Sequence, residues 1–217
     1  MKKIFKLLLS AVAAGICIGI GGTVFVSLGA TQKIIGAFLF ALGLFTIICY
    51  QFSLFTGKVG YVFENKISYL LDLSIIWVGN FIGTALVAIL FRQTRFFTPE
   101  LHSYVDTIVN AKVEDNIFSI FVLALFCGVL MYIAVNTQKK ENVKSGFKLL
   151  AIFACVAVFI LCGFEHVVAN MYYVTLSGDW SFKIIGYLFI MTLGNSCGSF
   201  IMWGFEKILT DKKEKAE

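Results

Sequence analysis

The sequence is short of everything that a water-soluble domain spends on its surface. Only 14% of its 217 residues are charged, where soluble domains carry roughly a quarter, and 59% are hydrophobic. It has a single proline, Pro99, and no stretch of ten alternating apolar and polar residues. The first absence argues against turn-rich β structure, and the second against a transmembrane barrel. No C-x-x-C pair occurs, although there are six cysteines, Cys17, Cys49, Cys127, Cys155, Cys162 and Cys197. All six fall inside apolar runs, where cysteine acts as a small packing residue rather than as a disulfide or metal ligand. Metal-spaced His/Asp/Glu clusters, nucleophile motifs and cofactor fingerprints are missing as well, so no cofactor is expected and an enzyme is the weaker reading.

What fills the chain is hydrophobic length. The mean hydropathy is +0.88. Runs of about 20 apolar residues recur along the sequence, which is the signature of a polytopic helical membrane protein. The Met1-Lys2-Lys3 start resembles a signal peptide, but its apolar run continues to about Leu28, too long for an h-region. Six spans are expected, near residues 5–28, 34–61, 67–91, 116–135, 149–174 and 182–209. Polar connectors separate them, the longest being the loop from Arg92 to Asp115, and a charged tail runs from Asp211 to Glu217. The whole chain, 1–217, reads as one transmembrane domain.

Two spans break their own solvent rule. The second carries Gln51, Ser53, Thr56 and Gly57 in its middle, and the fifth carries Glu165, His166 and Asn170 just after Gly163. Ionisable groups at membrane depth cost about 2.5–3.5 kcal/mol each on insertion scales, so they are kept where they line a cavity or a pathway. Both segments are therefore expected to be interrupted helices. The halves also echo one another, because Gly79-Asn80-x-x-Gly83 recurs 115 residues later as Gly194-Asn195-x-x-Gly198. The same shift carries Leu44 onto Phe159. Three spans per half predict an inverted repeat, about 5–91 and 116–209, whose breaks meet near the midplane. Lys and Arg are uneven across the connectors: thirteen fall on the side of both termini and five on the other. By the positive-inside rule both ends are cytoplasmic in the cell membrane, and the net charge of +5 reports topology rather than nucleic-acid binding.

At Leu54-Phe55-Thr56-Gly57, Gly79-Asn80-Phe81-Ile82-Gly83, Ala111-Lys112-Val113 and Gly163-Phe164-Glu165-His166-Val167-Val168-Ala169-Asn170-Met171, the chain resembles the formate/nitrite transporter family. That resemblance implies an all-α membrane protein of six transmembrane helices, aquaporin-like, with helices 2 and 5 broken, assembled as a homo-pentamer with one pore per subunit. It implies channels for small monovalent weak-acid anions such as formate, nitrite or hydrosulfide. It further implies apolar constrictions at Leu44, Leu54 and Phe159 around His166 and Thr56. Lys112, paired with Glu165, is the candidate anion attractor, and Asn170 belongs to the same pathway. The partners expected are the anion or its conjugate acid, protons and the lipid bilayer. Tyr132 departs from the pattern, standing where the family carries Asn. A neutral-solute or water channel of the same architecture is the alternative, although no Asn-Pro-Ala motif exists in the chain.

Overall fold

The computed structural model describes residues 2–214, with side chains through Leu209. Within them the secondary structure is entirely helical. Nine α-helices follow in order: α1 (Lys2–Leu28), α2 (Lys33–Cys49), α3 (Phe55–Lys58), α4 (Tyr69–Phe91), α5 (Pro99–Val113), α6 (Ile117–Asn136), α7 (Ser145–Leu161), α8 (Val167–Ser177) and α9 (Phe182–Glu214). Short 3-10 turns at Ala30–Gln32, Val59–Glu64 and Thr137–Lys139 extend α2, α3 and α6. Five of the helices, α2 with its leading turn and α6 with its trailing one, are long and apolar enough to cross a bilayer. The apolar α7, of 17 residues, is shorter, and α8 continues it after the break. The predicted tail from Asp211 continues α9 as backbone to Glu214, and its last three residues lie outside the described structure.

The stretch from Arg92 to Asp115, expected as a loop, contains α5. The local chemistry explains it. The Thr98 hydroxyl accepts the Leu101 N–H, Pro99 occupies the first turn where its missing N–H costs nothing, and Glu100 sits at the positive helix end. Val105 and Val109, four residues apart, bury one side of this otherwise polar helix.

Two helix pairs carry the scaffold, α1 against α4 and α6 against α9. Both are closed by glycines at matching places. A Cβ on Gly15 would run into the Asn80 carbonyl, and one on Gly83 into that of Val12; on Gly128 it would meet the Asn195 carbonyl, and on Gly198 that of Leu125. Backbone meets backbone there, which no larger residue permits.

The two breaks also match, but not in the register expected. Gln51 and Gly163, 112 residues apart, both take positive φ, 57° and 69°. One residue on, Phe52 N–H donates to the Ile47 carbonyl at 2.9 Å and Phe164 N–H to the Phe159 carbonyl at 2.8 Å. The counterpart of Phe159 is therefore Ile47, not Leu44. The shift is 115 for α4 onto α9 yet 112 at the breaks, because the connectors within the two halves differ in length.

Candidate functional site

Interrupting a helix frees backbone groups that hydrocarbon cannot satisfy, at several kcal/mol each. Two asparagines, both fully buried, take up those groups. Asn80 Oδ1 accepts the N–H of Phe55, the first residue of α3, at 2.8 Å, while its Nδ2 donates to the carbonyls of Ser53 and Ala11. Asn195 Oδ1 accepts the N–H of Val167, the first residue of α8, at 3.0 Å, while its Nδ2 donates to the carbonyls of Glu165 and Ala124. Each amide thus ties a half-helix, the chain ahead of it and a neighbouring long helix at one point.

Those ties bring Thr56 and His166 together from opposite halves. Thr56 Oγ1 lies 2.9 Å from His166 Nε2, with both residues 2% exposed. The other ring nitrogen, Nδ1, accepts the N–H of Ala169 at 3.1 Å, so the imidazole is the N-cap of α8. A backbone N–H can only donate, which leaves Nδ1 bare and puts the ring hydrogen on Nε2, facing Thr56. Phe159 lies nearly parallel over the ring, centroids 5.4 Å apart and planes at 20°. Phe40 meets Phe159 edge-on at 5.9 Å. Sequence reasoning missed Phe40, which reads there as one of many aromatics in an apolar helix.

Glu165, one residue before His166, has an ammonium within reach. Lys112 Nζ lies 2.9 Å from Glu165 Oε1, and the two side chains are 14% and 6% exposed. Asn170 Nδ2 donates to Glu165 Oε2 at 2.7 Å and to its own helix at the His166 carbonyl. Both neighbours only accept, which fixes the amide orientation and leaves Asn170 Oδ1 sealed with no partner among the described residues. A buried carboxylate needs this compensation; removing one partner of such a pair costs about 3–5 kcal/mol.

A cavity of about 450 Å³ opens between α5, α7 and α8, with Lys33, Tyr104, Lys112 and Asp115 on its wall and Phe159, Glu165 and His166 at its floor. A second, of about 360 Å³, is walled by Gln51, Lys58, Tyr61 and Lys139 and floored by Leu44, Ile47 and Leu54. They share no lining residue. Leu44 and Leu54 on the second cavity and Phe159 on the first are each 3% exposed or less, and the His166–Thr56 pair is buried with them.

The model of the formate/nitrite transporter family matches residues 1–208. The chain belongs to the formate/nitrite transporter family. It is 28% identical over 191 residues to the uncharacterized transporter YrhG of Bacillus subtilis, covering 81% of this chain and 71% of that one. It is 26% identical over 217 residues to the nitrite transporter NirC of Salmonella typhimurium, covering 90% and 79%. Among solved structures it superposes on a pentameric formate channel with formate bound at a TM-score of 0.82, with 25% identity over 96% of this chain and 98% of that one. The chain is accordingly a membrane transport protein of the formate/nitrite transporter fold, and not an enzyme.

Within that family frame, Tyr132 has its own partner. Its hydroxyl donates to Glu206 Oε2 at 2.7 Å, and its ring fills the space beside Gly60. It is absent from the Lys112 cavity wall, so the polar partners of Glu165 are Lys112 and Asn170. His102 puts Nε2 3.0 Å from the Ser177 carbonyl and so joins α5 to the end of α8.

Proposed function

We propose that this formate/nitrite transporter passes small monovalent weak-acid anions, of the formate, nitrite or hydrosulfide kind, through a pore that each subunit of a homo-pentamer carries alone. The observation that carries this reading is a buried imidazole–hydroxyl pair, His166 with Thr56, next to two separate cavities, one reaching Phe159 and His166 and the other Leu44 and Leu54. In this reading α7 and α8 together make the fifth crossing, which with the five long helices brings the count to six. The halves 5–91 and 116–209 form an inverted repeat in one transmembrane domain, and both termini are cytoplasmic, as the excess of lysine on that side argues.

Bare charge does not cross an apolar pore, because its walls replace none of the water an anion gives up. A weak acid avoids the penalty by crossing neutral. Lys112, held at the mouth by its ion pair with Glu165, offers the entering anion an ammonium. The anion takes up a proton in the cavity, where falling dielectric favours its neutral form. The acid then passes Phe159, Leu44 and Leu54, and the His166 Nε2–H and the Thr56 hydroxyl supply the hydrogen bonds that the hydrocarbon around them lacks. The proton is lost again on the far side.

The test is uptake of formate, nitrite and hydrosulfide by reconstituted protein, with and without an imposed pH gradient. Flux of all three should rise on the acidic side, and His166→Asn and His166→Phe should abolish or reshape that pH dependence while assembly persists. Flux indifferent to pH in the unaltered protein, or unaltered pH dependence in both variants, would refute the reading.

A further inference from the structure

The two cavities differ in charge. On the wall that ends at His166, Lys33 and Lys112 stand against Asp115 and Glu165, and the four formal charges cancel. The wall that ends at Leu54 has Lys58 and Lys139 and no carboxylate. Two positive charges there face a cavity with a low-dielectric floor, the arrangement that concentrates anions.

Lys139 is held in position rather than left to drift. Its Nζ lies 3.4 Å from the centre of the Tyr61 ring, a short cation–π contact. Tyr61 is itself buried, and its hydroxyl donates to Asn136 Oδ1 at 3.1 Å. The Asn136 amide in turn donates to Glu206. The nearby carboxylates are committed elsewhere: Glu206 to Lys140 at 3.0 Å and to Tyr132, Glu64 to Lys207 at 3.1 Å and to the Trp203 indole. Lys58 and Lys139 therefore enter no ion pair among the described residues.

Gln51 lines the same cavity and supplies an independent observation. It is the one non-glycine residue with positive φ among those described, at a position where the other break uses Gly163. A side chain in this conformation is strained, and such strain gathers at functional sites. What the strained position gains is an amide with two N–H donors in the cavity.

We infer that Lys58, Lys139 and the Gln51 amide form a binding site for the permeant in its charged form, a small monovalent anion, and that the two mouths of the pore are unequal. The Leu54 mouth holds the anion, and the Lys112 mouth, neutralised by its own carboxylates, holds it more weakly. This rests on the proposed transport of weak-acid anions and adds a sidedness to it.

Nitrite flux measured separately from each face, in right-side-out and inside-out vesicles, tests the inference. The Lys58→Gln/Lys139→Gln variant should raise the nitrite concentration for half-maximal flux about tenfold at the Leu54 face only, and weaken its dependence on salt. Restoring charge with Lys139→Arg should recover part of the loss. Equal effects at the two faces, or none, would overturn the site while leaving the transport reading intact. A second measurement needs no transport: the rate at which an amine-acylating reagent modifies Lys58 and Lys139, followed by mass spectrometry. Nitrite should slow both; unchanged rates would overturn the site, and protection in a protein that passes no weak acid would keep the site and refute the transport reading instead.

Discussion

The two helix breaks share a backbone and differ in almost every polar side chain they carry. Gln51 answers to Gly163, Ser53 to Glu165, Leu54 to His166 and Thr56 to Val168, each pair 112 residues apart, while the turns, the bonds across them and the asparagines that secure them repeat. The first break thus contributes a buried leucine and a hydroxyl, and the second a carboxylate and an imidazole. Repetition secures the chain through the membrane, and departure from repetition supplies the chemistry.

That comparison breaks first at the asparagines. Asn80→Ala and Asn195→Ala each strand one N–H and two carbonyls in a dry interior, and each should lower stability by about 3 kcal/mol or more, read as a fall in melting temperature of the detergent-solubilised protein. Near-equal losses sustain the equivalence; a large loss for one and none for the other ends it. Next comes the pore. Phe159→Ile installs what the first half carries at Ile47, removes the ring stacked on His166 and should raise the flux of lactate relative to formate roughly tenfold. Unchanged size selectivity would mean that Phe159 does not gate. The smallest effect is at Gln51: Gln51→Gly makes the turns alike and should stabilise the protein by about 0.5–1 kcal/mol, measurable as a raised melting temperature, while weakening anion capture at the Leu54 mouth.

Much of this was legible in the residues. Hydrophobic runs gave the long helices, and polar residues inside two of them gave the breaks, since only a lined cavity tolerates Glu165 and His166 at that depth. The motif from Gly163 to Met171 pointed to the family, whose pattern gave Lys112 as a partner for Glu165. The register of the repeat was not legible, because GNxxG lies on α4 and α9 and reports their shift, whereas the breaks follow the lengths of different connectors. α5 was hidden by its polarity: Thr98-Pro99-Glu100 is a helix start and Val105 with Val109 an inward stripe, but two buried valines in a charged stretch make a faint signal. The pairing of Lys139 with Tyr61, and of Tyr132 with Glu206, joins positions more than 70 residues apart and depends on how the helices close.

The amides of Asn80 and Asn195 carry a consequence for movement. Each pins three pieces of chain at a helix break, and the pinned pieces come from α1, α3 and α4 in one case and from α6, α8 and α9 in the other. A carrier that rocks by prising a half-helix off its own half would have to strip both knots bare in hydrocarbon on every cycle. On the proposed reading the solute passes without either knot opening, and turnover should climb only gently with temperature.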